Sequence, residues 1–249
     1  MEHDENVIEA ALRVAAADPS KRPDFYKALL EATVYVIGTI ERPGSRQTTL
    51  GAGEKVSIVK WQSPDGSPTI PFFSSLDALR RALDQEMGYL ALPARALFEM
   101  TKGASLVLDP RSEYGKEFFP NEIEALLAHG VNQLPETRVT KAATEVLLGQ
   151  PKDYPTKMVN CLGELFARRQ NVKRAYLCLM QDRSRDEKAH LVVGITADGD
   201  TAQLIREAGI VAADTAPGGE AVDLTLIEPS QAGLSHYFLE SVQPFFKRR

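Results

Sequence analysis

At 249 residues, with 43% hydrophobic and 25% charged side chains, the chain has the composition of a globular protein of one large domain or two ordinary ones. Its formal net charge of −5, with no basic stripe to neutralise phosphates, excludes a nucleic-acid binder on electrostatic grounds. No apolar run approaches the roughly 20 residues that cross a bilayer, so no membrane partner is expected.

The start, MEHDENVIEAALRVAAAD, is acidic and lacks the pattern of a signal peptide. Two cysteines, Cys161 and Cys178, supply neither a disulfide framework nor metal spacing. A reducing cytoplasm is the expected compartment. Residues 5–17 have helical spacing, with Val7, Ala11, Val14 and Ala15 on one side. That short face of small residues predicts a weakly packed N-terminal helical arm over residues 1–22. After DPSKRP a second short helix is expected over DFYKALLEA, with Phe25, Leu29 and Leu30 apolar. TVYVIGT then reads as a strand, ERPGSRQTTLGAG as a long hairpin loop, and KVSIVKW as the returning strand. SPDGS turns into the strand TIPFF. The helix of SSLDALRRAL is expected to begin at Ser74 as N-cap, with Leu76, Leu79 and Leu83 on one face.

A strand near YLAL, a helix through ARALFEM and a strand SLVL lead to LVLDPRSEYGKEFFPNEIEAL. There Asp109-Pro110 stops regular structure, because proline restricts the residue before it, and Gly115 permits a sharp turn. Asn121 and Glu124 have capping-box spacing ahead of Ile123, Leu126 and Leu127. Turn chemistry thus accounts for much of the polar content and leaves Arg111, Tyr114 and Lys116 without a structural task.

Around AHGVNQLPETRV the pattern lapses. A boundary between His129 and Arg138 divides the chain into residues 23–135 and 136–249. The second part opens with a strand in RVTKAATEVLLG. Pro155 follows, then an amphipathic helix carrying Met158, Cys161, Leu162, Leu165 and Phe166 on one face. VKRAYLCLM and HLVVGIT are strands joined by the charged tip QDRSRDEKA. Asp200 is expected to cap the helix TAQLIREAG, which Gly209 ends in the left-handed conformation. DTAPGGEA is a loop and VDLTLI a strand. The last helix aligns Leu234, Tyr237, Phe238, Val242 and Phe245, with Lys247-Arg248-Arg249 capping its end. This order predicts an antiparallel or mixed sheet backed by helices, and the first half has the same character. The fold class is α+β: two α+β domains in tandem.

No reactive constellation emerges. Cys161 sits on an apolar helix face and Cys178 alternates within a strand, so packing accounts for both thiols. His3, His129, His190 and His236 are scattered, without metal-ligand spacing. GAGEK at 51–55 leads into a strand, whereas phosphate sites need a helix N-terminus. There is no G-x-S-x-G elbow. Asp198 and Asp200 suit a turn and a helix cap better than a calcium loop. No catalytic residue, metal ligand or cofactor is expected.

LLEATVYVIG, TIPFFSSLDAL and LVLDPRSEYGKEFFPNEIEALL resemble the N-terminal domain of the SseB family, the bacterial enhanced-serine-sensitivity proteins. LGQPKDYPTKMVNCLGELFARRQNVKRAYLCLM, EAGIVAADTAPGGEAVDLTLI and GLSHYFLESVQPFFKRR resemble its C-terminal domain nearly end to end. Together these stretches cover about residues 24–249. Asp109 stands where the first domain more often has Asn, and Phe246 where the second more often ends in Pro-Phe-Tyr. The resemblance implies a cytoplasmic bacterial protein that confers serine sensitivity when overexpressed, with no established reaction.

The expected function is a non-enzymatic module that binds a protein partner, with a secretion-system or toxin partner as one version. The expected contacts are Arg111 and Tyr114, joined by Asp109 and, from DTAPGGEA, Asp214, because loops on a regular scaffold carry such groups. The alternative is an amino-acid-sensing regulator or an enzyme whose site is built from distant segments. A purely structural or assembly role is the third reading.

Overall fold

A computed structural model describes residues 6–40, 56–63, 66–132, 146–182, 188–230 and 233–248. The expected hairpin loop at 41–53, the GAGEK stretch, most of the tip at 181–189 and the start of the strand at 138–145 lie outside the described residues. So does the C-terminal side of the expected domain boundary. The chain forms two compact units, Met1–Ala17 with Asp24–Asn132, and Asp18–Pro23 with Gln133–Arg249.

The first unit contains α1 (Val7–Ala17), most of α2 (Arg22–Glu31), β1 (Thr33–Ile40), β2 (Val56–Ile58), β3 (Trp61–Gln62) and β4 (Pro68–Phe73). It continues with α3 (Leu76–Ala82), β5 (Tyr89–Pro93), α4 (Ala94–Met100), β6 (Ser105–Leu108), β7 (Lys116–Phe118) and α5 (Pro120–His129). Among the described residues the strands run in the order β2-β1-β4-β6-β7, with β5 also on β1 and β3 on β4. The sheet is mixed: β4 and β6 are parallel, and the other pairs are antiparallel. Alternation along β4 sends Phe72 and Phe73 to opposite faces. Phe72 joins Phe98 and Phe118, with ring centroids 5.6–5.8 Å apart. Phe73 and Ile37 lie under Ala78, Leu79 and Ala82 of α3.

Four local expectations need correction. α1 buries Ile8, Leu12 and Ala15, whereas Val7 is 74% exposed and Val14 is exposed too. Its apolar face is therefore a different one, and it buries Ile8 and Leu12 where the small-residue face predicts weak packing. The N-cap of α3 is Ser75, whose Oγ accepts from the Ala78 N–H at 3.0 Å, because Ser74 is engaged elsewhere. α5 begins with Pro120 in its first turn, after Phe119. Proline suits that position because its missing N–H would be unpaired anyway, and Asn121 and Glu124 consequently form no capping box. KEF within the expected loop is β7, a short edge strand on β6.

The second unit contains a 3-10 turn (Pro19–Lys21), β8 (Val146–Gly149), α6 (Thr156–Arg168), β9 (Val172–Asp182) and β10 (His190–Ala197). After these come α7 (Ala202–Thr215), β11 (Val222–Leu226), α8 (Leu234–Ser241) and β12 (Phe246–Lys247). The sheet order is β11-β10-β9-β12, with β8 also on β9. β10 runs antiparallel to β9 and parallel to β11. One face carries α6 and α7 on Leu177, Val193 and Ile195. The other carries α8, whose Phe238 packs with Tyr176, Cys178 and Val192. Gly194 makes that second contact possible, since a Cβ there would come within 2.8 Å of the Phe238 ring.

Two helix ends also differ from expectation. Gly209 lies inside α7, which continues through the buried Ile210, Val211 and Ala212 to Thr215. The last helix stops at Ser241, and Val242 is already extended. Phe245 and Arg248 instead pair along β9, through Phe245 N–H to the Ala175 carbonyl and Arg248 N–H to the Lys173 carbonyl. Arg248 does cap a helix, but it is α6: its guanidinium donates to the Phe166 and Arg169 carbonyls at 2.7 and 2.5 Å, and to Val172 O at 2.7 Å. The architecture is thus two-domain α+β, each domain an open mixed sheet with helices.

Candidate functional site: a locked loop after β6

β6 ends at Leu108, and the chain turns through Asp109 at φ 47°, the left-handed region that Asp and Asn tolerate better than other side chains. Four hydrogen bonds hold it there. The Asp109 N–H donates to the Phe72 carbonyl, and its own carbonyl accepts from Ser112 N–H, both at 2.9 Å. The carboxylate Oδ1 accepts from Ser74 N–H at 3.0 Å and Oδ2 from Ser74 Oγ at 2.6 Å. Asp109 is only 2% exposed. Burial pushes its pKa above the ordinary 3.8, the two Ser74 hydrogen bonds oppose that, and the neighbouring Glu9 charge adds to it.

The N-terminal helix closes over the same serines. Asn6 Nδ2 donates to the Ser74 carbonyl at 2.5 Å, and Glu9 Oε1 accepts from Ser75 Oγ at 3.2 Å and Arg81 at 3.0 Å. On the far side of the loop, a Cβ on Gly115 would lie 3.1 Å from the Asp109 carbonyl oxygen. The returning chain passes so close that a side chain would force it outward.

This scaffold presents Arg111 and Tyr114. The Arg111 side chain is 53% exposed, with its guanidinium 5.8 Å from the centre of the Trp61 ring and 3.5 Å from Asp84. Cation and ring attract through the ring quadrupole. Tyr114 is 37% exposed. Lys116, expected to be spare, has a structural task after all: Nζ pairs with the buried Glu122 at 2.8 Å and lies 4.7 Å over the Phe118 ring.

Asp109, Arg111 and Tyr114 therefore share one loop, with Asp109 beneath it and the other two on top. Asp214 lies in the other unit, in the last turn of α7, paired with Arg22. Sequence reasoning passed over Trp61 and Asp84. Trp61 is the only tryptophan of the chain, and a lone Trp at a strand end was a signal available to be weighed.

Both thiols are at least partly buried, and two of the histidines are paired. Cys178 is fully buried, which pushes its pKa up to about 12. Cys161 is half-buried, and its thiol is raised by burial and by the Asp18 and Glu164 charges. His190 lies 3.0 Å from Asp223, and His236 the same distance from Glu240. Among the described residues no three His, Cys, Asp or Glu side chains converge as a metal cage. No helix among them is long and apolar enough to cross a membrane.

Comparison with known proteins agrees with this two-domain layout. Residues 8–125 match the family model "SseB protein N-terminal domain", and residues 140–248 match "SseB protein C-terminal domain". The chain is 35% identical over 249 residues to Protein SseB of Escherichia coli (strain K12), an alignment covering 100% of this chain and 95% of that protein. Protein SseB of Shigella flexneri is similar to the same extent. No solved structure matches. With both domain models matched in order, and a relative of that identity aligned along the whole chain, the protein belongs to the SseB family.

Proposed function

We propose that the chain is a non-enzymatic protein-binding module of the bacterial cytoplasm, which docks its partner on the first unit through Arg111 and Tyr114 beside Trp61. The single observation that carries this reading is the combination of a rigid loop and exposed anchors. Asp109 fixes the backbone from beneath, so Arg111 and Tyr114 are presented with little ordering left to do on binding. Arg, Tyr and Trp are the residue types that dominate interface energetics. Asp109 acts by shaping the loop, and Asp214, held by Arg22, belongs to the second unit. A secretion-system component or a toxin is the partner class to seek first.

The test is affinity capture by the immobilised full chain, with wild type and the Arg111→Ala/Tyr114→Ala variant side by side. A captured protein should bind the variant more weakly by about 1–3 kcal/mol, as interface anchors do. The melting temperature should barely move, because exposed substitutions change stability by less than about 0.5 kcal/mol. Equal capture by both forms places the interface elsewhere. A melting-temperature rise with a free amino acid, without any captured protein, favours the sensing alternative.

A further inference from the structure

Two carboxylates reach for one hydroxyl where α1 meets the serines ahead of α3. Asp109 Oδ2 lies 2.6 Å from Ser74 Oγ, and Glu9 Oε1 lies 3.4 Å from the same oxygen. A serine hydroxyl carries a single proton and donates once. At these distances it serves Asp109, because an O–H···O bond ordinarily spans about 2.5–3.0 Å. The contact of Ser74 with Glu9 therefore sets two electron-rich oxygens together with no proton between them. Ser74 is fully buried and Asp109 nearly so, and solvent screens their surroundings poorly.

A proton on Asp109 changes the sense of the row. The protonated Oδ2 donates to Ser74 Oγ, the Ser74 hydroxyl turns its own proton to Glu9 Oε1, and Oδ1 still accepts from the Ser74 N–H. The added proton comes from solvent and stays on Asp109, so the serine keeps one proton throughout. Glu9 already accepts from Ser75 Oγ and Arg81. It gains a third donor, and the like charge across Ser74 is gone.

We propose that Asp109, Ser74 and Glu9 form a proton-operated latch for α1. With the proton in place, an unbroken row of hydrogen bonds runs from the loop after β6 to the helix. Without it the row is broken, and α1 is held less firmly. The other charges nearby are engaged elsewhere or shared. Glu9 of α1 and Arg81 of α3 act on Asp109 in opposite senses, and Arg81 is shared with Glu9. Asp77, also on α3, pairs with Arg80 at the surface. β4 and β6 carry no charged side chain. Arg111 and Glu113 of the loop are exposed, and Lys116 of β7 pairs with Glu122.

The direction of the pH effect follows. Burial and the Glu9 charge both raise the Asp109 pKa while α1 is docked, and undocking removes the Glu9 contribution. Docking therefore takes up a proton: α1 is held most firmly at low pH and less firmly as pH rises through the docked-state value. This inference concerns how α1 is held and does not rest on partner docking at Arg111 and Tyr114.

Amide hydrogen exchange of the full chain tests it, read as the protection of α1 relative to α5 of the same unit. The range is about pH 4 to about pH 8, with intrinsic exchange rates divided out. In wild type the relative protection of α1 should fall by about tenfold as pH rises, the effect of one hydrogen bond to a charged group. Asp109→Asn keeps the shape, and its amide donates to Ser74 Oγ as the protonated acid does. It should hold α1 firmly at every pH. Glu9 titrates in both forms, so the comparison isolates Asp109. Ser74→Ala keeps both carboxylates and removes the shared hydroxyl, and should reduce the fall to about threefold or less. A fall as steep in Ser74→Ala as in wild type would mean bare charge repulsion and overturns the latch. A wild-type α1 whose relative protection stays flat overturns it too, as does a fall of equal size in Asp109→Asn. If Ser74→Ala fails to fold, Glu9→Gln decides. Its amide can either donate to Ser74 or accept from it, so the fall should vanish, and a fall that persists overturns the proposal.

Discussion

Asp109 is a charged residue at a site that penalises charge. Its folded-state pKa lies above the ordinary 3.8, chiefly through burial, so the native protein holds the proton longer than the unfolded chain does. The stability this contributes is complete below 3.8 and is lost as pH rises through the folded-state value. Asp109→Asn keeps the shape, suits the left-handed φ and cannot ionise. Denaturant unfolding from pH 4 upward should therefore show the Asn variant gaining on wild type as pH rises, and at least matching it at neutrality. A difference that stays flat across the range would mean that the carboxylate is not under burial stress. Asp109→Ala should instead lose about 1–3 kcal/mol, because the Ser74 N–H and hydroxyl are left without their acceptor. The sequence alone separates these side chains only partly. Arg111 and Tyr114 could be singled out because turn chemistry did not consume them. Asp109, in the same loop, could not be told from a surface carboxylate, because its partner Ser74 is 35 residues away and looks locally like a helix cap.

At the level of elements, what could be read followed the strength of the periodic signal. α6 was legible because Met158, Leu162, Leu165 and Phe166 recur at helical spacing, and all four are buried. α1 was misphased because its faces are built of small residues, so that burial of Ile8 and Leu12 depends on what lies beneath them. Gly209 was mistaken for a stop: its intrinsic helix penalty is about 1 kcal/mol, less than the burial of Ile210 and Val211 returns. Pro244 explains the opposite error at α8, since proline biases the preceding residue toward extended structure. Two substitutions probe these elements directly. Gly194→Ala sets a methyl against Phe238 and Ile227, and should destabilise the second unit by about 1–3 kcal/mol, as overpacking does. Arg248→Ala uncovers the carbonyls of Phe166, Arg169 and Val172 and should cost about 1–3 kcal/mol. Arg248→Lys, a single ammonium in place of a planar fork, should recover only part of that loss. Urea midpoints followed by circular dichroism check all three.

For the whole molecule, the N-terminal residues are the point where the expected arm and the observed structure differ most. Residues up to Ala17 belong to the first unit, Asp18–Pro23 belong to the second, and the chain returns to the first at Asp24. In the first unit α1 buries Ile8 and Leu12 and engages Ser74 and Ser75. In the second, Arg168 donates to the Ser20 carbonyl at 2.5 Å, and Arg22 pairs with Asp214. Removing residues 1–23 should therefore weaken both units, and the chain carries a separate reporter for each. Trp61, the only tryptophan, lies in the first unit, and the two thiols, Cys161 and Cys178, lie in the second. The Trp61 fluorescence midpoint in urea should fall by the equivalent of roughly 3–6 kcal/mol, since two large apolar side chains lose their burial. Thiol exposure should shift by a smaller amount, about 1–3 kcal/mol, for the lost hydrogen bonds and ion pair. A truncated chain whose tryptophan midpoint equals that of the full protein would show that the N-terminal helix is an arm, and that its contacts with Ser74 and Ser75 contribute nothing to the fold.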